Sequence, residues 1–179
     1  YEVLIFCSAI VLIDYFFGSK NNPVVSLVLC MWGFIKPIDV VVEVAGQMAG
    51  GLIGFPILSM ICTKYGKEVG GPSVDPTSTP FNTALISEAL SSSLLTTTIA
   101  LLGMTAIGQY FWVKQPAIAV MIRLIVTRPF FGAPRPAMNP MLPTTSQVFA
   151  NGTRPTDIYG PYVLSWVAAT PGAALAAAL

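Results

Sequence analysis

The chain has 179 residues and a formal net charge of +1. Charged residues make up 9% and hydrophobic residues 54%, with a mean hydropathy of +0.72, against roughly 25% charged in an ordinary soluble domain. That composition excludes a polar-coated soluble enzyme and a disordered chain. It offers no basic stripe for nucleic acid. With no histidine, His-based zinc sites and His-dependent catalytic triads are excluded, and no other metal or cofactor motif is present. Cys7, Cys30 and Cys62 lie in apolar runs without CxxC spacing and read as small buried hydrophobes.

The length suits one domain, 1–179. Five apolar stretches read as long enough to cross a bilayer, which takes roughly 20 residues. The first runs from Tyr1 to Phe17, and the second from Ile38 to Ile61. After a Gly-, Pro- and Ser-rich connection, placed at 62–80, come a Ser- and Thr-rich third stretch, Phe81 to Met104, and a fourth, Phe111 to Phe131. The fifth, Ile158 to Leu179, ends in an alanine-rich tail. None carries the continuous polar stripe of a soluble bundle helix. Small residues such as Gly46, Gly50 and Gly54, and Ala169, Gly172 and Ala173, suit close helix packing in lipid.

Two apolar segments are too short to span: Asn22 to Trp32 and Asn139 to Ala150. As helices each covers about 16 Å, half a bilayer. Both open on Asn-Pro, which pairs a good N-cap with a residue favoured at the first helical position. Gly33 and Asn151-Gly152 supply helix stops. In each half of the chain a long stretch precedes the short one and another follows it. This order reads as an internal duplication, with 1–61 a partial first repeat and 81–179 a second; one helix is then expected before Tyr1. Two half-helices entering from opposite faces place their amide-rich N-termini, each with partial positive charge, near the membrane midplane. Irregular backbone at that depth is tolerated where it is buried in protein or lines a cavity.

The segments GSKNNPVVSLVLCMWG and APRPAMNPMLPTTSQVFANG resemble the two Asn-Pro-Ala loops and half-helices of the aquaporins, or major intrinsic proteins. Gln47 to Gly51 resembles the pattern in that family's third helix, Glu88 the buried glutamate of its fourth, and Trp166 to Leu179 its sixth. The resemblance implies an all-α membrane fold, an inverted repeat with two re-entrant half-helices. It also implies a passive channel for water or small uncharged solutes, with no cofactor and no covalent chemistry. Asn22 and Asn139 would orient the solute, Pro23 and Pro140 would open the half-helices, and the helix dipoles would exclude cations. Homotetramers are the family's usual assembly.

Several positions depart from the family's pattern. Val24 and Met141 stand in place of Ala, so bulkier side chains are expected to shift or narrow the junction. Leu142 occupies the position of the filter arginine. The remaining filter candidates are Glu2, Pro136 and either Leu124 or Thr127. These departures motivate a second functional expectation: a structural subunit of a larger membrane assembly that keeps the fold without transport. Pro143 cannot donate to the Asn139 carbonyl, which leaves that oxygen expected to face the passage or to bond water or a side chain. Glu43, Gln47 and Glu88 are expected as buried structural polar groups, Glu88 accepting from backbone N–H groups of a re-entrant loop. Arg123, also within a span, is expected to pair with an acid or a partner protein. The resemblance puts Lys20, Lys36 and Lys114 on the cytoplasmic side and Lys64, Lys67, Arg135 and Arg154 on the other, against the positive-inside tendency. Asn151-Gly152-Thr153 is a glycosylation sequon in the expected outer loop.

Overall fold

The computed structural model describes residues 2–18, 20–67, 74, 77–128, 130, 136–149, 165–168, 174 and 178. Among these residues the protein is all-helical. The helices are α1 (Glu2–Phe17), α2 (Pro23–Met31), α3 (Pro37–Lys64), α4 (Phe81–Met104), α5 (Phe111–Thr127) and α6 (Met141–Phe149), with a 3-10 turn at Ala106–Gln109. Residues 165–168 form a further helical turn. The rest of the expected fifth stretch lies outside the described residues, apart from 174 and 178, as does the Asn151 sequon.

Two helices, α3 and α4, are long and apolar enough to cross a membrane, with mean hydropathies of 1.6 and 1.5. Helices α1 and α5 are shorter, at 16 and 17 residues. The fourth stretch was expected to reach Phe131 but ends at Thr127. Pro129 accounts for this, because a residue before proline is pushed out of the α region; Arg128 sits at φ −132°, ψ 70°. The connection expected at 62–80 starts late, because α3 continues to Lys64. It closes when Lys67 N–H donates to the Cys62 carbonyl (2.9 Å) across Gly66.

The two short helices have defined ends. Asn22 caps α2 by accepting from Val24 N–H at 3.0 Å, with Pro23 in the first turn. Gly33, at φ +77°, ends the helix; Phe34 N–H then donates to the Leu29 carbonyl at 2.9 Å. A side chain is strained at that φ, so glycine is the residue suited to this stop. Helix α3 starts with the Asp39 carboxylate accepting from Lys36 N–H (3.2 Å).

Helix α3 packs on both α2 and α6, α1 packs on α5, and α4 packs on α5 and α2. The distribution of side chains runs opposite to that of a soluble globule. Ser26, Ser87, Glu88, Ser91, Ser92, Thr96, Thr145, Ser146 and Gln147 are buried. Large apolar side chains cover the outside, and no residue of α3 is buried. Burying one Val, Leu or Ile is worth about 1.5–3 kcal/mol in water, and a soluble domain has only about 5–15 kcal/mol of net stability.

Candidate functional site: the junction of the two Asn-Pro loops

The loops that precede α2 and α6 meet, and they do so reciprocally. Asn22 Nδ2 donates to the Met138 carbonyl at 2.9 Å, and Asn139 Nδ2 donates to the Asn21 carbonyl at 2.8 Å. Each asparagine also caps its own helix. Asn22 Oδ1 accepts from Val24 N–H at 3.0 Å, and Asn139 Oδ1 accepts from Met141 N–H at 3.2 Å. The residue before each asparagine is left-handed, Asn21 at φ +48° and Met138 at φ +51°, and these are the positive-φ non-glycine residues among those described. Such a conformation is uncommon outside glycine and is strained for a side chain like methionine. Here it turns each loop so that its carbonyl faces the opposing amide. Residues 21 to 24 and 138 to 141 thus repeat one local geometry, 117 positions apart.

The chemistry of the junction follows from counting donors. A side-chain amide has two N–H groups, and each asparagine directs one at the opposite loop. Around them converge the N-terminal N–H groups of two helices, each end carrying a partial positive charge. Asn22 is buried and Asn139 half-buried. Val24 is buried against Val28, Leu27 and Trp32, along its own helix. Met141 reaches across to α3, where Gly51 makes room; a Cβ on Gly51 would meet Met141 Sδ and Thr145 Cγ2, each at 2.6 Å. The extra bulk expected to shift or narrow the junction is taken up by the α2 cluster and by a glycine.

Pro143 has a different consequence from the one expected. The Asn139 carbonyl accepts from Leu142 N–H at 3.1 Å. In α2 the matching Asn22 carbonyl accepts from Ser26 N–H, four residues on, at 3.2 Å. Lacking an N–H at that place, α6 tightens to a bond three residues on.

Glu88 lies where expected. Buried in α4, it accepts from Ala137 N–H (2.8 Å) and Met138 N–H (2.6 Å), and the Ser165 hydroxyl bonds the same carboxylate. Glu43 and Gln47 differ from expectation in being half-buried. They line an open cleft of about 460 Å³ between α3, the first loop and Met141, with Lys20, Gly50 and Gly51 also in its walls. Glu43 forms an ion pair with Lys20. Gln47 Nε2 donates to Ser26 Oγ at 3.2 Å.

The filter candidates are dispersed. Leu124 and Leu142 are exposed and carry no polar group, while Pro136 is buried beside the Glu88-bound amides. Thr127 gives its hydroxyl to the Arg123 carbonyl of its own helix at 2.8 Å. Glu2 lies in the first turn of α1, and its side chain is outside the described residues. Sequence reasoning missed Lys20, Ser26, Ser165 and Gly51 as partners at the junction. It also missed the paired left-handed residues, although their common spacing from each Asn-Pro was available as a signal.

Searches against family models and curated proteins found no match to this chain.

Proposed function

We propose that the chain is an aquaporin-like integral membrane protein, an inverted repeat in which two re-entrant half-helices form a passive channel for water or small uncharged solutes. The observation that carries this reading is the reciprocal bonding of Asn22 to the Met138 carbonyl and of Asn139 to the Asn21 carbonyl, at two helix N-termini. The membrane part is supported by α3 and α4 and by the polar interior beneath an apolar surface. At the junction, the second N–H of each asparagine donates to a passing solute oxygen. This replaces a hydrogen bond lost on leaving bulk water. The two helix N-termini disfavour cations and protons. Leu142, where a filter cation is expected, supplies no charged donor, so on this reading selectivity rests on size and on the asparagine amides.

Stopped-flow swelling of proteoliposomes carrying the full-length protein tests this, with water and glycerol measured separately. Permeability above that of empty vesicles, lost in Asn22→Ala and Asn139→Ala, is the expected result. The burial of Asn22, Val24, Met138 and Pro140 at the junction favours a second reading, a structural subunit of a membrane assembly without transport. Rates equal to empty vesicles for both solutes select that reading.

A further inference from the structure

Helices α1 and α5 are packed neighbours, and the C-terminal end of α1 meets the N-terminal end of α5 in a cluster of aromatic rings. Tyr15 lies 5.1 Å from Trp112 and 5.6 Å from Phe111 between ring centroids, and Phe111 and Trp112 meet edge to face. Tyr15, Phe16, Tyr110 and Trp112 are more than half exposed. A soluble fold gains nothing by presenting these rings to water.

We propose that this cluster is a lipid-binding girdle that holds the α1–α5 edge at the headgroup level of a bilayer. It rests on the membrane reading above and not on transport. Tyr and Trp combine an apolar ring with a polar tip, and such groups partition to the membrane–water boundary. Asp14 and Lys114 lie within electrostatic reach of one another at the same level. Moving along the two helices away from the cluster, the exposed side chains become aliphatic: Leu12, Leu4 and Ile5 on α1, Val120 and Leu124 on α5. Arg128 follows the far end of α5, 17 residues on, or about 25 Å at 1.5 Å per residue. That nearly matches a hydrocarbon core of about 30 Å. The gradient from ring and charge to aliphatic and back to charge is the gradient of a lipid leaflet pair. A partner in aqueous solution would impose no such order along the helix axis, and a partner within the bilayer would shield the cluster from lipid.

Bromolipid quenching of tryptophan fluorescence reads the depth directly. In the full chain, Trp32→Phe and Trp166→Phe leave Trp112 as the reporter; if that variant misfolds, the depth of Trp112 is read from the quenching lost between the parent chain and Trp112→Phe alone. A second reporter, Val120→Trp in the chain with all three tryptophans replaced, reads mid-span embedding. The girdle predicts that Trp112 is quenched about twofold more by bromines near the glycerol than by bromines near the acyl chain end, with the reverse order at position 120. Deep quenching at both positions overturns the girdle while leaving membrane embedding intact. Quenching at position 120 alone shows the cluster to be covered by protein, and also overturns it. Quenching at neither position overturns the membrane reading and the girdle with it.

Discussion

The loop ending at Asn22 and the loop ending at Asn139 make the same turn, yet different chemistry anchors them. The second is held by the buried carboxylate of Glu88, which accepts from two successive backbone N–H groups. The first is held from α3 through side chains: the Lys20–Glu43 ion pair beside an open cleft, and the Gln47–Ser26 bond. A buried carboxylate that accepts from one buried and one half-buried amide contributes more than an ion pair a quarter to a third exposed. The duplicated geometry at the centre therefore sits on a rigid clamp in one half and on a solvent-screened one in the other. Reciprocal bonds from each asparagine amide to a carbonyl of the opposite loop couple the two.

The largest effect is expected at Glu88. Glu88→Ala leaves the buried Met138 N–H and the half-buried Ala137 N–H without their acceptor, at about 1.5–3 kcal/mol for each charge-assisted bond lost. A fall in the midpoint of thermal unfolding in detergent, followed by far-ultraviolet circular dichroism, is the check. Glu88→Gln keeps one acceptor oxygen and should fall between the variant and the parent.

Next is the glycine that receives Met141. Gly51→Ala forces a Cβ onto Met141 and Thr145, an overpacking worth about 1–3 kcal/mol. Met141→Ala in the same chain should restore part of the loss in the same melting experiment, the contact with the Thr145 methyl remaining. If the double variant is no better than Gly51→Ala alone, the α3–α6 contact is not organised around this pair.

Removing one asparagine should cost less stability than either change. Loss of a helix N-cap is worth about 1 kcal/mol, and the bond to the opposite loop adds to it. Asn22→Ala and Asn139→Ala should destabilise by similar amounts, since each removes one cap and one cross-loop bond. Clearly unequal melting shifts would break the symmetry of the junction.

The smallest effect belongs to Glu43. Glu43→Gln removes an ion pair that is open to the cleft, worth about 0–1 kcal/mol. A Glu43→Gln variant that melts as low as Glu88→Gln would abolish the contrast between the two anchors.

Much of this architecture is legible in the sequence because its cues are local. Asn-Pro before a short apolar run, and a glycine after it, specify a capped and terminated helix wherever they occur; α2 follows that reading within a residue at each end. Pro129 carried the signal that shortens α5, and it was outweighed by the apolar run on either side. The length of α3 past Ile61 was less visible, since Cys62, Thr63 and Lys64 are compatible with either a last turn or a loop.

Composition and Asn-Pro spacing alone determined that the chain is helical, apolar and provided with two half-length helices, because hydropathy and capping act over a few residues. Only the tertiary structure decided that Asn22 and Asn139 reach each other's loops, that Glu88 holds one loop and Lys20–Glu43 the other, and that Gly51 receives Met141. Those facts depend on contacts between residues tens to more than a hundred positions apart. Local pattern leaves such contacts undetermined until the helices are packed.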